Sequence, residues 1–250
     1  MIMNDFTYTS YSKMIEALKN NGYKICLYDE ICEGKQCILR HDIDFDIKKS
    51  LELARLENQL RVKSTYFVLL KTDFYNPISK KSIDMLKEII NLGHAVGLHY
   101  DEKSYEDGCD VVNAIKKECL ILGQALDYQI KIVSMHRPSK KTLESNYVIE
   151  GIINSYSDKF FKEYKYISDS RRNWREDPFE LIDSNKYEKL HILTHAFWYH
   201  ESLSSIKKDL SSFISNSKFV CYENMKDNLT NLDEIISMQS IRYDNNKGNN

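Results

Sequence analysis

Apolar residues along this chain of 250 alternate between two periods. Tyr11, Met14, Ile15 and Leu18 are three or four apart, which predicts a helix closed by Gly22 just past its end. Cys37–Leu39 is a short apolar run, a predicted strand that leads into Arg40-His41-Asp42. Ile47, Leu51 and Ala54 return to helical spacing. Ser64–Leu70 is β-branched and aromatic, as in a strand buried on both faces. Ile83, Leu86 and Ile90 predict a helix closed by Gly93, with a strand at Ala95–His99. Val111, Ile115 and Leu122 predict a helix stopped by Gly123, with a strand at Ile130–Ser134. Ile167–Asp169 and Ile192–Thr194 are shorter strands, and Leu203, Ile206, Leu210 and Phe213 form a last amphipathic helix. Six or so strands alternating with helices predict an α/β fold with a mainly parallel sheet and crossover helices. Three prolines, eight glycines and no linker-like stretch predict one domain over residues 1–242. Residues 243–250 are polar, and disorder is expected there.

Composition narrows the partners. The 35 basic and 37 acidic residues leave a net charge of −2, so nothing in the charge balance argues for nucleic acid. Six cysteines without a CxxC pair read as reduced, mostly buried thiols. The first ten residues, MIMNDFTYTS, lack the basic and apolar regions of a signal peptide. No apolar run approaches the ~20 residues of a membrane span. A cytoplasmic location is expected.

Chemistry collects at the predicted strand ends. His41, Asp42 and Asp44 follow the strand at Cys37, and His99 and Asp101 end the one at Ala95. His136 and Arg137 end the strand at Ile130, Asp169 the one at Ile167, and His195 the one at Ile192. In a parallel α/β sheet all the carboxyl ends lie at one face, which holds the ligand site. Taken singly, Asp42 and Asp44 also suit the cap of a helix starting near Asp46. His94, after Gly93, reads as a helix-end residue whose cationic form suits the dipole. Jointly, five strand ends carrying His, Asp or Arg describe a hydrolytic set. Imidazole and carboxylate ligands suit Zn²⁺ or a similar ion, one aspartate serving the metal and the other a water. A carboxylate base, a histidine acid and an arginine orienting the base complete it, the arginine role falling to Arg137.

The segments ILRHDIDFD, STYFVLLKTDFYNP, GHAVGLHYD, SMHRPS, ISDSRRNW and LTHAFW resemble, in order, the motifs of the polysaccharide deacetylase family (carbohydrate esterase family 4, NodB-like). They look closest to a branch found in bacterial surface-polysaccharide gene clusters. The resemblance runs from about Tyr8 to Trp198. It implies a distorted (β/α) barrel of about seven mainly parallel strands. It also implies Asp42 as catalytic base, Asp44 and His99 as metal ligands, Arg137 as the residue steadying the base and His195 as general acid. Asp169 and Trp174, with Trp198 beside the last motif, would line the substrate groove. The family's second metal histidine falls at Lys103, whose ammonium cannot coordinate a cation. Asp101 is the first candidate for that ligand and His136 the second.

The expected function is removal of an N-acyl group, acetyl above all, from a sugar or sugar-containing precursor of surface glycan. One divalent ion, Zn²⁺, would be the cofactor. The expected compartment favours a nucleotide sugar or lipid-linked glycan as substrate. A non-catalytic glycan- or partner-binding member of the fold is the first alternative, supported by Lys103. Another barrel metallohydrolase, such as a phosphoesterase, is the second.

Overall fold

The computed structural model describes residues 5–31 and 33–238. The chain divides into two compact units, Met1–Leu203 and Ser204–Asn250, and residues 1–242, expected to form one domain, span parts of both. The tail at 243–250 lies outside the described residues.

The first unit is a curled, wholly parallel sheet wrapped by helices. Its strands are β1 (Lys24–Cys26), β2 (Gln36–Ile43), β3 (Thr65–Val68), β4 (Ala95–Asp101), β5 (Ile132–His136), β6 (Ile153–Asn154), β7 (Lys165–Ser168) and β8 (Lys189–Thr194). Their order across the sheet is β6-β5-β4-β3-β2-β8-β7, with β1 beside the first half of β2. Seven strands thus form a distorted half-barrel of the NodB type, open between β6 and β7 among the described residues. The main helices between strands are α1 (Tyr8–Asn20), α2 (Ile47–Gln59), α3 (Lys80–Asn91) and α4 (Val111–Leu126). The shorter α5 (Lys140–Glu144), α6 (Asp158–Lys162) and α7 (Pro178–Asp183) follow. The second unit holds α8 (Ile206–Lys226) and α9 (Leu232–Ile235). No described helix is long and apolar enough to cross a membrane.

Three elements differ from the sequence reading in an instructive way. β1 and β6 are two or three residues long, too short for a periodic signal. Gly123 does not end α4. The helix runs on to Leu126, and Asp127 in the left-handed region (φ 51°) supplies the end. A side chain at Gly123 would stand 2.9 Å from the Tyr128 carbonyl oxygen, so glycine is there for close approach.

Because strand side chains alternate, each central strand serves two faces. Ile43, Tyr66, Val68, Val96, Leu98, Tyr100, Val133 and Met135 face the helices, forming a core with residues of α2, α3 and α4. Ile38, Phe67 and Ile132 face the inside of the curl, against Tyr28, Phe160 and Tyr164. Gly97 on β4 keeps this inner packing possible, since a Cβ there would lie 2.6 Å from the Phe67 ring. The strand ends on this inner face carry the polar groups.

Candidate functional site

Alternation on β2 puts Arg40, Asp42 and, just past the strand, Asp44 on one side. The same rule places His99 on β4, Ser134 and His136 on β5, and His195 after β8 around them. Asp44, His99 and His136 each offer one ligand atom, all within 4.8 Å of one another. Asp44 Oδ1 is 3.4 Å from His99 Nε2 and 3.4 Å from His136 Nδ1, and the two nitrogens are 3.1 Å apart. That oxygen is enclosed, and neither imidazole gives it a well-formed hydrogen bond. His99 Nδ1 is tied to Ser134 Oγ at 2.7 Å, which fixes the ring and turns Nε2 to the cluster. One unsatisfied carboxylate oxygen and two imidazole nitrogens on rigid strand ends form a donor set that fits Zn²⁺ or a similar ion. Burial works against ionisation of Asp44, but the surrounding imidazoles of His99, His195 and His136 hold its carboxyl well below the usual range.

Asp42 sits beside this cluster, its Oδ2 3.5 Å from His99 Nε2. Arg40, wholly buried, donates from Nε and Nη2 to the two Asp42 oxygens, each at 2.8 Å. The guanidinium lies between the rings of Phe67 (5.2 Å) and Tyr156 (4.9 Å). Burial opposes the Asp42 charge, and the Arg40 fork outweighs it, so the carboxyl is held below its ordinary value. His195 Nδ1 is 2.6 Å from Asp169 Oδ1, and the His195 backbone N–H donates to the same carboxylate. His195 Nε2 is left 3.7 Å from Asp44 Oδ2. Burial disfavours the imidazolium, but Asp169 overrides it and raises His195 to about 9.

The structure places five of the sequence-predicted site residues differently. Arg137 does not reach Asp42. Its backbone is left-handed (φ 47°), its side chain is 57% exposed, and its guanidinium pairs with Asp101. Arg40 makes the contact expected of it. Asp101 is not in the cluster, because its oxygens take the Arg137 guanidinium and the Lys103 backbone N–H, capping a short turn. His136, the second candidate, stands with Asp44 and His99. Trp174 and Trp198 are 3% and 6% exposed, so neither offers the open ring face that stacking on a sugar requires. Asp169 is fully buried and serves His195. Lys103 is exposed and lines a cleft of about 720 Å³ beyond the ends of β4 and β5.

Sequence reasoning missed Arg40 and Ser134. Both lay two residues from residues already singled out, Asp42 and His136, and so on the same strand face. His94 also differs: buried, its Nδ1 accepts the Ser64 backbone N–H and its Nε2 faces the Ala54 carbonyl at 3.0 Å. Burial lowers its pKa, so it is a neutral core residue and not a cation at a helix end.

No protein-family model matches the chain, and no curated protein matches its sequence. Among solved structures it is similar to a CE4 family pseudoenzyme from Bacillus anthracis, at 12% identity and a TM-score of 0.42. That match covers 73% of this chain and 60% of the other. A polysaccharide deacetylase from Bacillus cereus is similar at 18% identity and a TM-score of 0.43, covering 69% and 93%. The peptidoglycan deacetylase PdaC from Bacillus subtilis is similar at 13% identity and a TM-score of 0.45, covering 68% and 78%. The chain spans less than two thirds of the first of these.

Proposed function

We propose that this chain is a divalent-metal hydrolase of the polysaccharide deacetylase type, acting in the cytoplasm on an N-acylated, chiefly N-acetylated, sugar of a surface-glycan precursor. The observation that carries the reading is the convergence of Asp44, His99 and His136 between an arginine-clamped Asp42 and an aspartate-held His195. Asp44, His99 and His136 would hold the ion. A bound Zn²⁺ supplies a polarised acyl carbonyl and a water of lowered pKa. Asp42, kept ionised by Arg40, takes the proton of the attacking water. His195, its Nδ1 fixed by Asp169, presents Nε2 to the same space and delivers a proton to the departing amine. Amide and water become carboxylic acid and amine. The non-catalytic alternative has Lys103 as its main support, and on the present reading His136 would supply the third donor from another strand. A phosphoesterase would need ligands for a second ion, and no second such group occurs among the described residues.

The test is Asp42→Asn with a panel of N-acetylated sugars and glycan precursors. Turnover should fall by about 10²–10⁴, the usual cost of losing a general base, while zinc content is unchanged. Loss of zinc from the variant would make Asp42 a ligand. No acetate release by zinc-loaded protein across the panel would sink the hydrolase reading.

A further inference from the structure

Tyr156 carries a hydroxyl beside Asp42 that none of the roles above employs. The ladders align Ile43, Val68, Leu98, Val133 and Asn154 from β2 to β6. Tyr156, two residues past Asn154, therefore leaves the sheet at its carboxyl-end face. Its backbone N–H is tied back to Asn154 Oδ1 at 2.9 Å, and its ring stacks on Phe161 with centroids 4.7 Å apart. From this support the side chain reaches Arg40, whose Nη2 donates to Asp42 Oδ2 at 2.8 Å and to the Tyr156 hydroxyl at 3.4 Å. One guanidinium nitrogen thus holds the hydroxyl next to Asp42. At that length the bond adds little to the placing of Arg40, which the Asp42 fork and the rings of Phe67 and Tyr156 already fix. Among the described residues the O–H itself has no acceptor. Burial raises its pKa above the ordinary 10, with Arg40 opposing and Asp42 and Asp44 adding, so the proton stays on at neutral pH.

We propose that the Tyr156 hydroxyl donates a hydrogen bond to the acyl oxygen of the substrate, the atom that gains negative charge as water adds. This rests on the reading of the Asp44 cluster as a deacetylase centre. Water forms its bond to the acyl carbon while its proton passes to Asp42 and the carbonyl π pair moves onto oxygen. Collapse returns that pair and breaks the C–N bond, and the amine nitrogen takes the proton presented by His195. Both oxygens are bonded to one carbon, so the base and an oxyanion donor must be close neighbours. Asp42 and Tyr156 are such neighbours, joined through Arg40 Nη2. The Ser134 hydroxyl is tied to His99 Nδ1. Tyr156 keeps its own proton throughout, and a donor already fixed in place needs no reorganisation as the charge develops.

Tyr156→Phe removes the oxygen and keeps the ring on Arg40 and Phe161, so zinc content and Tm should match wild type. With whichever sugar of the panel releases acetate, kcat should fall by about 10²-fold while KM stays within about twofold. The methylphosphonamidates of glucosamine and galactosamine, tetrahedral anions in place of the acetamide, give a readout apart from turnover. Calorimetry on zinc-loaded protein should show the one that binds weakened by about the same factor, because the hydroxyl acts on the tetrahedral state. A rise in KM with kcat unchanged overturns the proposal, as does a wild type that binds neither analogue. If acetate is released and Tyr156→Phe alters neither kcat nor analogue affinity, the hydrolase stands and the donor fails. If wild type releases no acetate yet binds an analogue that Tyr156→Phe loses, the donor stands and the hydrolase reading fails.

Discussion

Strand β2 separates two clusters built to one plan, a carboxylate flanked by two imidazoles. On its helix-facing side Glu57 lies 3.0 Å from His41 Nε2 and 3.6 Å from His94 Nδ1. On its inner side Asp44 lies between His99 and His136. The Glu57 cluster is closed on itself. One Glu57 oxygen accepts Tyr11 and His41, the other Ser64 (2.5 Å) and Tyr66 (2.7 Å). Thr194 meets the second nitrogen of His41 at 2.6 Å. At the Asp44 cluster the Ser134 hydroxyl holds only the outer nitrogen of His99, and Asp44 Oδ1 accepts no hydrogen bond, facing the paired His99 and His136 nitrogens at 3.4 Å. Histidine beside carboxylate is thus a weak signal. What separates a structural knot from a binding centre is whether the lone pairs are already taken.

If that contrast is right, removing the two carboxylates should have opposite consequences. Glu57→Ala should show the largest effect on stability. It takes the Glu57 acceptor from the Tyr11 and Tyr66 hydroxyls and the His41 imidazole in a wholly buried site. Losses of about 3–5 kcal/mol accompany such breaks, a fall in Tm of roughly 10 °C or more for a chain this size. Asp44→Asn should abolish zinc binding and lower Tm less than Glu57→Ala does, since no hydroxyl loses its acceptor with it. Equal thermal losses in both variants would erase the distinction.

Acid sharpens the same point. Burial would raise Glu57, but His41 and the hydrogen bonds outweigh it and lower the carboxyl from its ordinary 4.5 to about 2. A depressed carboxylate stabilises the fold fully above its unfolded value, and that stability fades as pH falls from about 4.5 towards 2. The contribution is about 3 kcal/mol by linkage. Urea unfolding from pH 6 to 2.5 should show this slope in wild type, and Glu57→Gln should flatten it.

The fold was legible because α/β periodicity is strong where strands are buried on both faces, as at Ser64–Leu70. The strand-end histidines and aspartates were legible because topology alone sends them to one face. Partners within that face were not, since pairing depends on backbone detail. Arg137 appeared to be the orienting arginine, but its left-handed backbone takes it to Asp101. Ring exposure was invisible too: Trp174 and Trp198 turned inward while Phe74 turned out. Spacing from Asp42 to Arg40 was the one clue in the sequence to the true clamp.

His136→Ala should cost roughly 10²-fold or more in zinc affinity, one ligand's share of a structural site's binding energy, and leave Tm without zinc nearly unchanged. Competition with a chromophoric chelator measures it. An unchanged affinity would remove His136 from the ligand set and reopen the question of the third donor.

The smallest effects belong to the two residues that sequence placed nearest the metal. Asp101→Ala and Lys103→Ala should each alter zinc affinity by less than about threefold. Asp101 uses its oxygens on Arg137 and the Lys103 backbone, and Lys103 is exposed along the outer cleft. An ammonium has no lone pair to offer in any case. Lys103→His should gain nothing either, because a new imidazole in that cleft would not join donors that His99 and His136 already complete from β4 and β5. This outcome separates a relocated centre from a decayed one. In a decayed centre Lys103→His would restore binding that wild type lacks, and His136→Ala would make no difference. In a relocated one, wild type binds zinc, His136 governs the affinity, and position 103 is indifferent to lysine, alanine or histidine.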